Sequence, residues 1–259
     1  MHRKITVAGA VLVGLAFVVV GCAGDPTSMV TQASSASVEQ GAPPPPCPNP
    51  EGQDCVGQLN AGEEYTTVTF TPALTYAVPV GGWTNLEDTP GNFLLVPPDQ
   101  SLEGVNANTS DFVGAYTSIV AGQFTGNGAC DLEAVPGVDA NPEAIVQWLR
   151  EQSALEVSAP VAASVGGLEG QRVDVRVADG ATLPFCTDSE SGDEVTVFLL
   201  IVGSPPSNLA HGVIPGMTMR LYFLDYNSGV LAVEVTDIDA APATMDELSA
   251  VVDGFTFSP

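Results

Sequence analysis

Catalysis in this chain would have to draw on one histidine and a large stock of carboxylates. Apart from His2 at the amino terminus, His211 is the single histidine, so any Ser-His-Asp triad would have to use it. His211-Gly212 lies between Pro205-Pro206 and Pro215-Gly216. That setting predicts a loop histidine bonded to a carbonyl, not a general base. No Gly-x-Ser-x-Gly elbow is present, and with no lysine beyond Lys4, Ser-Lys chemistry has no base. Paired carboxylates could cleave glycosides. Glu234, Asp237 and Asp239 stand close together, as do Asp188, Glu190, Asp193 and Glu194, but with 31 acids such a pair is uninformative. The second group, with Ser189 and Gly192, lacks the ligand order of a calcium loop and reads as a solvated turn. Gly166-Gly167 and Gly170 precede strand-like residues, so they fit a hairpin or bulge and not a phosphate loop. The expectation is therefore no catalytic residue, no metal, no cofactor and no enzymatic activity.

Ligand recognition has more to work with. Arg172, Arg176 and Arg220 are rare cations in an acidic chain. They either pair with neighbours such as Asp174 and Glu169 or hold an anionic ligand. Trp148 falls on an apolar helix face and reads as core. Trp83, after two glycines, packs in the core or lines a cleft. Arg172, Arg176, Arg220 and Trp83 are the candidate ligand-binding residues. Cys47, Cys55, Cys130 and Cys186 are an even set with spacings unsuited to zinc, and they predict two disulfides. Three pairings are open, and Cys47–Cys55 with Cys130–Cys186 is preferred. The first pair is close in sequence and the second would pin two long loops.

The amino terminus says where these groups operate. His2, Arg3 and Lys4 precede an apolar run of 16 residues from Ile5 to Val20, short of the roughly 20 a spanning helix needs. Val19-Val20-Gly21-Cys22 resembles the lipobox of bacterial lipoproteins. That resemblance implies lipidation of Cys22 after removal of a signal peptide, residues 1–21. It also implies a home on the extracytoplasmic face of the cell membrane, held there by acyl chains. Removing 21 of the 259 residues leaves 238, carrying four arginines against 31 acids, a formal charge of −27. Such a surface excludes nucleic acid and is repelled by anionic headgroups. Residues 22–62, rich in Ser, Ala and Pro and including Pro43 to Pro46, predict a disordered tether. Fully extended, the 24 residues from Ala23 to Pro46 would reach on the order of 70 Å at about 3 Å each.

Residues 63–259 predict a single α+β domain, a largely antiparallel β-sheet with two main helices. Strand patterns run through Tyr65–Thr71, Leu74–Val78, Phe93–Val96, Asp111–Val120, the alternating Val173, Val175 and Val177, and Val195–Val202. Met217–Leu224 and Gly229–Val235 flank a turn and predict a hairpin. Asn141-Pro142-Glu143 starts one helix, Thr244-Met-Asp-Glu247 caps another, and Phe255-Thr-Phe257 closes the chain as a strand. Val78-Pro79, Gly82-Trp83, the late hairpin, the capped helix and the final Phe-x-Phe resemble the PsbP-like fold. With Gly166 to Gly170 and Arg220 to Asp225, they are similar to secreted actinobacterial lipoproteins. Long insertions at about 97–140 and 178–194 depart from that pattern. The resemblance implies a binding or assembly module of the cell envelope whose partner is an envelope protein. The alternatives are a carrier of lipid or another apolar ligand and an exported hydrolase.

Overall fold

The computed structural model describes residues 57–100, 102–126, 128–187, 192, 194–203, 209–238 and 242–258. The expected leader, Cys22, most of the tether, Cys47, Cys55, Asp188, Ser189, Glu190, Asp193 and Asp239 lie outside the described residues.

In chain order the strands begin with β1 (Gly57–Gln58), β2 (Glu64–Thr66), β3 (Ala73–Ala77), β4 (Thr84–Thr89) and β5 (Asn92–Val96). A short helix, α1 (Leu102–Asn106), leads to β6 (Val113–Thr117), β7 (Ile119–Phe124) and β8 (Leu132–Ala134). Helix α2 (Pro142–Arg150) precedes β9 (Leu155–Val157), β10 (Val161–Val165), β11 (Leu168–Val177), β12 (Phe185–Thr187) and β13 (Glu194–Thr196). Then come β14 (Phe198–Gly203), β15 (Ala210–Val213), β16 (Thr218–Tyr226), β17 (Gly229–Asp237), α3 (Pro242–Val252) and β18 (Thr256–Ser258). The main sheet has nine strands in the order β1-β4-β5-β6-β17-β16-β11-β10, with β9 also on β11. Its named strands pair antiparallel throughout. A four-stranded sheet, β15-β14-β7-β8, and a three-stranded one, β18-β3-β2, complete the layers beside a β12-β13 ribbon.

The main sheet is buried on both faces, which is why its central strands read as nearly continuous apolar runs. On one face Phe93, Leu95, Val113, Leu231, Val233 and Val235 pack under α3 and the three-stranded sheet. On the other, Tyr116, Val173, Val175, Met219, Phe223 and Ala232 pack under α2 and β14. Turn chemistry sets the two hairpins. Gly166 and Gly167 both take positive φ between β10 and β11, as do Asn227 and Ser228 between β16 and β17. A two-residue turn of this type requires that conformation to match the strand twist. At α2 the Asn141 side chain accepts the Ala144 N–H at 2.9 Å, and Pro142 opens the helix as expected.

Four expectations need correction. The folded part starts earlier than residue 63: β1 pairs with β4, and Leu59 is buried in the core. Helix α3 starts at Pro242, so Thr244 stands inside its first turn and not at the cap. Proline's fixed φ makes position 242 the natural first helical residue. The expected strand Asp111–Val120 is instead β6, a central strand of the main sheet, and the start of β7, which belongs to the four-stranded sheet. The run Val195–Val202 is two strands, β13 and β14, which belong to different sheets.

Candidate functional site

A buried polar cluster lies on the α2 face of the main sheet. Glu234, in the middle of β17, is 1% exposed. Its partner across the ladder is Gly114 of β6, and the Tyr116 ring occupies the space above that glycine. A Cβ at Gly114 would lie 2.0 Å from Tyr116 Oη, so only glycine leaves room for the phenol there. Asn92 of β5 sits opposite Tyr116 and donates through Nδ2 to Glu87 Oε2 of β4.

His211 closes the cluster from above. It lies in β15, an edge strand of the four-stranded sheet, and its ring packs at a 35° tilt against Tyr116 with centroids 4.1 Å apart. Phe112 meets the ring edge at 6.1 Å. His211 Nδ1 is 2.9 Å from Glu234 Oε2, and the imidazole is 16% exposed. The contact is close but poorly aligned: Glu234 Oε2, Tyr116 Oη and Asn92 Oδ1 all lack a well-directed hydrogen-bond partner among the described residues. Burial, reinforced by the Glu234 charge, pushes the Tyr116 phenol well above its ordinary pKa of 10.0. Among the described residues no three His, Cys, Asp or Glu side chains are arranged to hold a metal.

This placement overturns the sequence reading of His211 as a loop residue bonded to a carbonyl. Gly212 makes the strand feasible, since a Cβ there would lie 2.6 Å from the Phe198 carbonyl oxygen. A register shift in β14 between Leu199 and Ile201 accompanies it. One sequence signal does mark the site. Glu234 is a lone acid between Val233 and Val235, in a strand that is apolar at both parities. A carboxylate there must point into one of two cores.

Glu87 has a measurable consequence. Burial raises its carboxyl pKa, partly opposed by the His211 charge and the Asn92 hydrogen bond. A carboxyl whose pKa is higher folded than unfolded costs stability once deprotonated. The cost is absent below the unfolded value of about 4.3 and grows as pH rises through the raised folded value. Glu87→Gln should therefore raise the Tm at pH 7 and leave it unchanged near pH 3. A thermal melt series across pH checks this, and an equal shift at both ends would refute it.

The four candidate ligand residues are dispersed. Arg220 forks onto Asp174 (Nε to Oδ1 2.8 Å, Nη2 to Oδ2 3.1 Å) and reaches Asp246 and Ser249 of α3, each at 3.1 Å. Ser249 donates in turn to the Met245 carbonyl, so Arg220 fastens α3 to the sheet. Arg176 pairs with Glu156 and Asp179. Two shallow grooves of about 250 and 260 Å³ meet beside it, lined also by Ser158, Gly180, Gly216 and Thr218. Trp83 is 3% exposed and belongs to the core. Arg172 makes no ion pair among the described residues. Cys130 and Cys186 form the disulfide that was preferred, closing 56 residues of sequence separation with Cα atoms 5.0 Å apart.

Several solved structures are similar to this chain, three of them described below. No family model matches the chain, and no curated protein does. A crystal structure of a Bacteroides thetaiotaomicron protein is 14% identical with a TM-score of 0.30, covering 72% of this chain, which spans 45% of that one. The solution structure of PsbP from the cyanobacterium Synechocystis is 7% identical with a TM-score of 0.35, covering 79% of this chain and 95% of the other. The crystal structure of LpqN of Mycobacterium tuberculosis, involved in cell envelope biogenesis, is 11% identical with a TM-score of 0.26, covering 80% and 87%. None of these three TM-scores reaches 0.5, so the largely antiparallel architecture rests on the strand pairing above and not on these likenesses.

Proposed function

We propose that this chain is a lipid-anchored, extracytoplasmic interaction module of the cell envelope, acting by binding and not by catalysis. The Cys130–Cys186 crosslink is the observation that carries the extracytoplasmic part. Disulfides persist outside the reducing cytoplasm, and this one supports independently what the leader ending at Cys22 implies. A lysine-free surface of formal charge −27 suits a module held by acyl chains, because charge would not hold it to anionic lipid.

Metabolic labelling with a palmitate analogue tests the reading. The full chain should take up label and fractionate with membranes. Cys22→Ser should abolish the label and leave an unprocessed precursor. If label or fractionation were unchanged in that variant, the anchor would be excluded. In crosslinked cells the anchored chain should retain a specific envelope protein.

One observation favours a second reading. An imidazole set on a buried carboxylate is half of an acid–base arrangement, and its outer edge reaches solvent. An exported hydrolase built on it would lose all turnover of an ester or glycan panel on His211→Phe.

A further inference from the structure

The outer edge of the main sheet ends in a short window of open backbone. Val165 and Leu168 flank the two-residue turn at Gly166-Gly167 and so exchange ladder hydrogen bonds. By alternation Ala163–Gly170 and Val161–Arg172 do the same. The N–H and C=O groups of Ala162 and Ser164 must then point outward, and no described backbone group meets them. The window is closed at both ends. Pro160 has no N–H to offer, and the Gly166 carbonyl already accepts from Phe257 N at 3.1 Å. Ala162 and Ser164 are exposed, Val161 is 50% exposed, and the strand Val-Ala-Ala-Ser-Val carries none of the charges that usually guard an edge. Arg172 stands beside Val161 on the same face, without an ion pair among the described residues.

We infer that β10 is a docking edge for an extended segment of a partner protein that carries a carboxylate on the Arg172 side. Four backbone hydrogen bonds at Ala162 and Ser164 would fix such a strand, and its apolar side chain would cover Val161. The added strand would lie two strand spacings, about 10 Å, from β11. Arg172 and an aspartate or glutamate bridge that gap from opposite sides. The positive charge selects the acidic segment, against a chain whose other surfaces repel it. The inference rests on the binding-module reading and names its contact.

A displayed random heptapeptide library, selected on the lipidated full chain in nanodiscs, tests it. Enriched peptides should carry one Asp or Glu among aliphatic residues and lack proline. Their affinity should fall about tenfold or more on Ser164→Pro, which removes an outward N–H and no ladder hydrogen bond to β11. It should fall as far on Ala162→Glu, which keeps the donor and puts a negative charge on the edge, and about fivefold on Arg172→Gln. Bound peptide should slow amide exchange at Ala162 and Ser164 and leave Val161 and Ala163 unchanged. Absence of enriched acidic peptides, equal binding to Ser164→Pro, or pairing of β10 with a second copy of the chain would overturn the assignment. An envelope crosslink that survives Ser164→Pro would sink this edge alone. Failure of the unmutated full chain to take up palmitate label would sink the anchored-module reading alone.

Discussion

Replacing both Cys130 and Cys186 with serine should lower stability by about 4 kcal/mol, the chain-entropy value for closing a loop of the 56-residue separation found here. For a domain of this size that corresponds to a Tm loss on the order of 10 °C. The bond has a local task that makes the loss concentrate. β12 and β13 form a ribbon of two short strands, which is marginal in water by itself. Among the described residues its attachments include the disulfide and the Ala129–Thr187 bridge, in which Thr187 N donates to the Gly128 carbonyl at 2.8 Å. Loss of the crosslink should therefore free amide exchange in 185–187 and 194–196 first, with the main sheet still protected. Reduction of the native protein by dithiothreitol should reproduce the serine variant. A Tm unmoved by both treatments, or free thiols mapped to Cys130 and Cys186 in protein isolated from the envelope, would remove the observation on which the extracytoplasmic reading leans.

What the sequence disclosed and what it hid divide along a physical line. Short-range signals worked because their causes are local. Asn141 before Pro142 marks α2, Gly166-Gly167 marks the β10–β11 turn, and the alternation of Val173, Val175 and Val177 marks a strand with one wetter face. The capping box at Thr244 failed on equally local grounds, since Pro242 is an alternative start two residues earlier. The hidden features are all non-local. The cluster of Glu87, Tyr116, His211 and Glu234 unites strands of two sheets, and no spacing rule spans such separations. β14 binds β7 through Ile201 and Ala121, 80 residues apart, and that pairing helps carry β15 over the main sheet. The arginines were half legible. Asp174 was foreseen as a partner and does bind Arg220, but the second anchor, Asp246, comes from α3. Arg172, with no such anchor, is the one whose role had to come from the strand order.

The buried pair itself supports an expectation of comparable size. His211→Phe keeps a ring against Tyr116 and removes the nitrogen facing Glu234. The carboxylate, 1% exposed, is then left with no cation or ring N–H beside it. Leaving a buried carboxyl group without its facing partner costs about 1–3 kcal/mol, so this variant should lose roughly 3 kcal/mol. Glu234→Leu should cost less, because His211 at 16% exposure can turn its free nitrogen to water. Combining the two should restore most of the loss, since replacing both buried partners by apolar groups of similar shape is often neutral or better. Denaturant melts of the four proteins give the coupling directly. Simple additivity would mean that the 2.9 Å approach carries no interaction, and the cluster would then be packing alone. The double variant also separates the two functional readings. A binding module should still retain its envelope partner, because the pair lies beneath β15 and away from the β10 edge. A hydrolase built on His211 would fold equally well and turn over nothing.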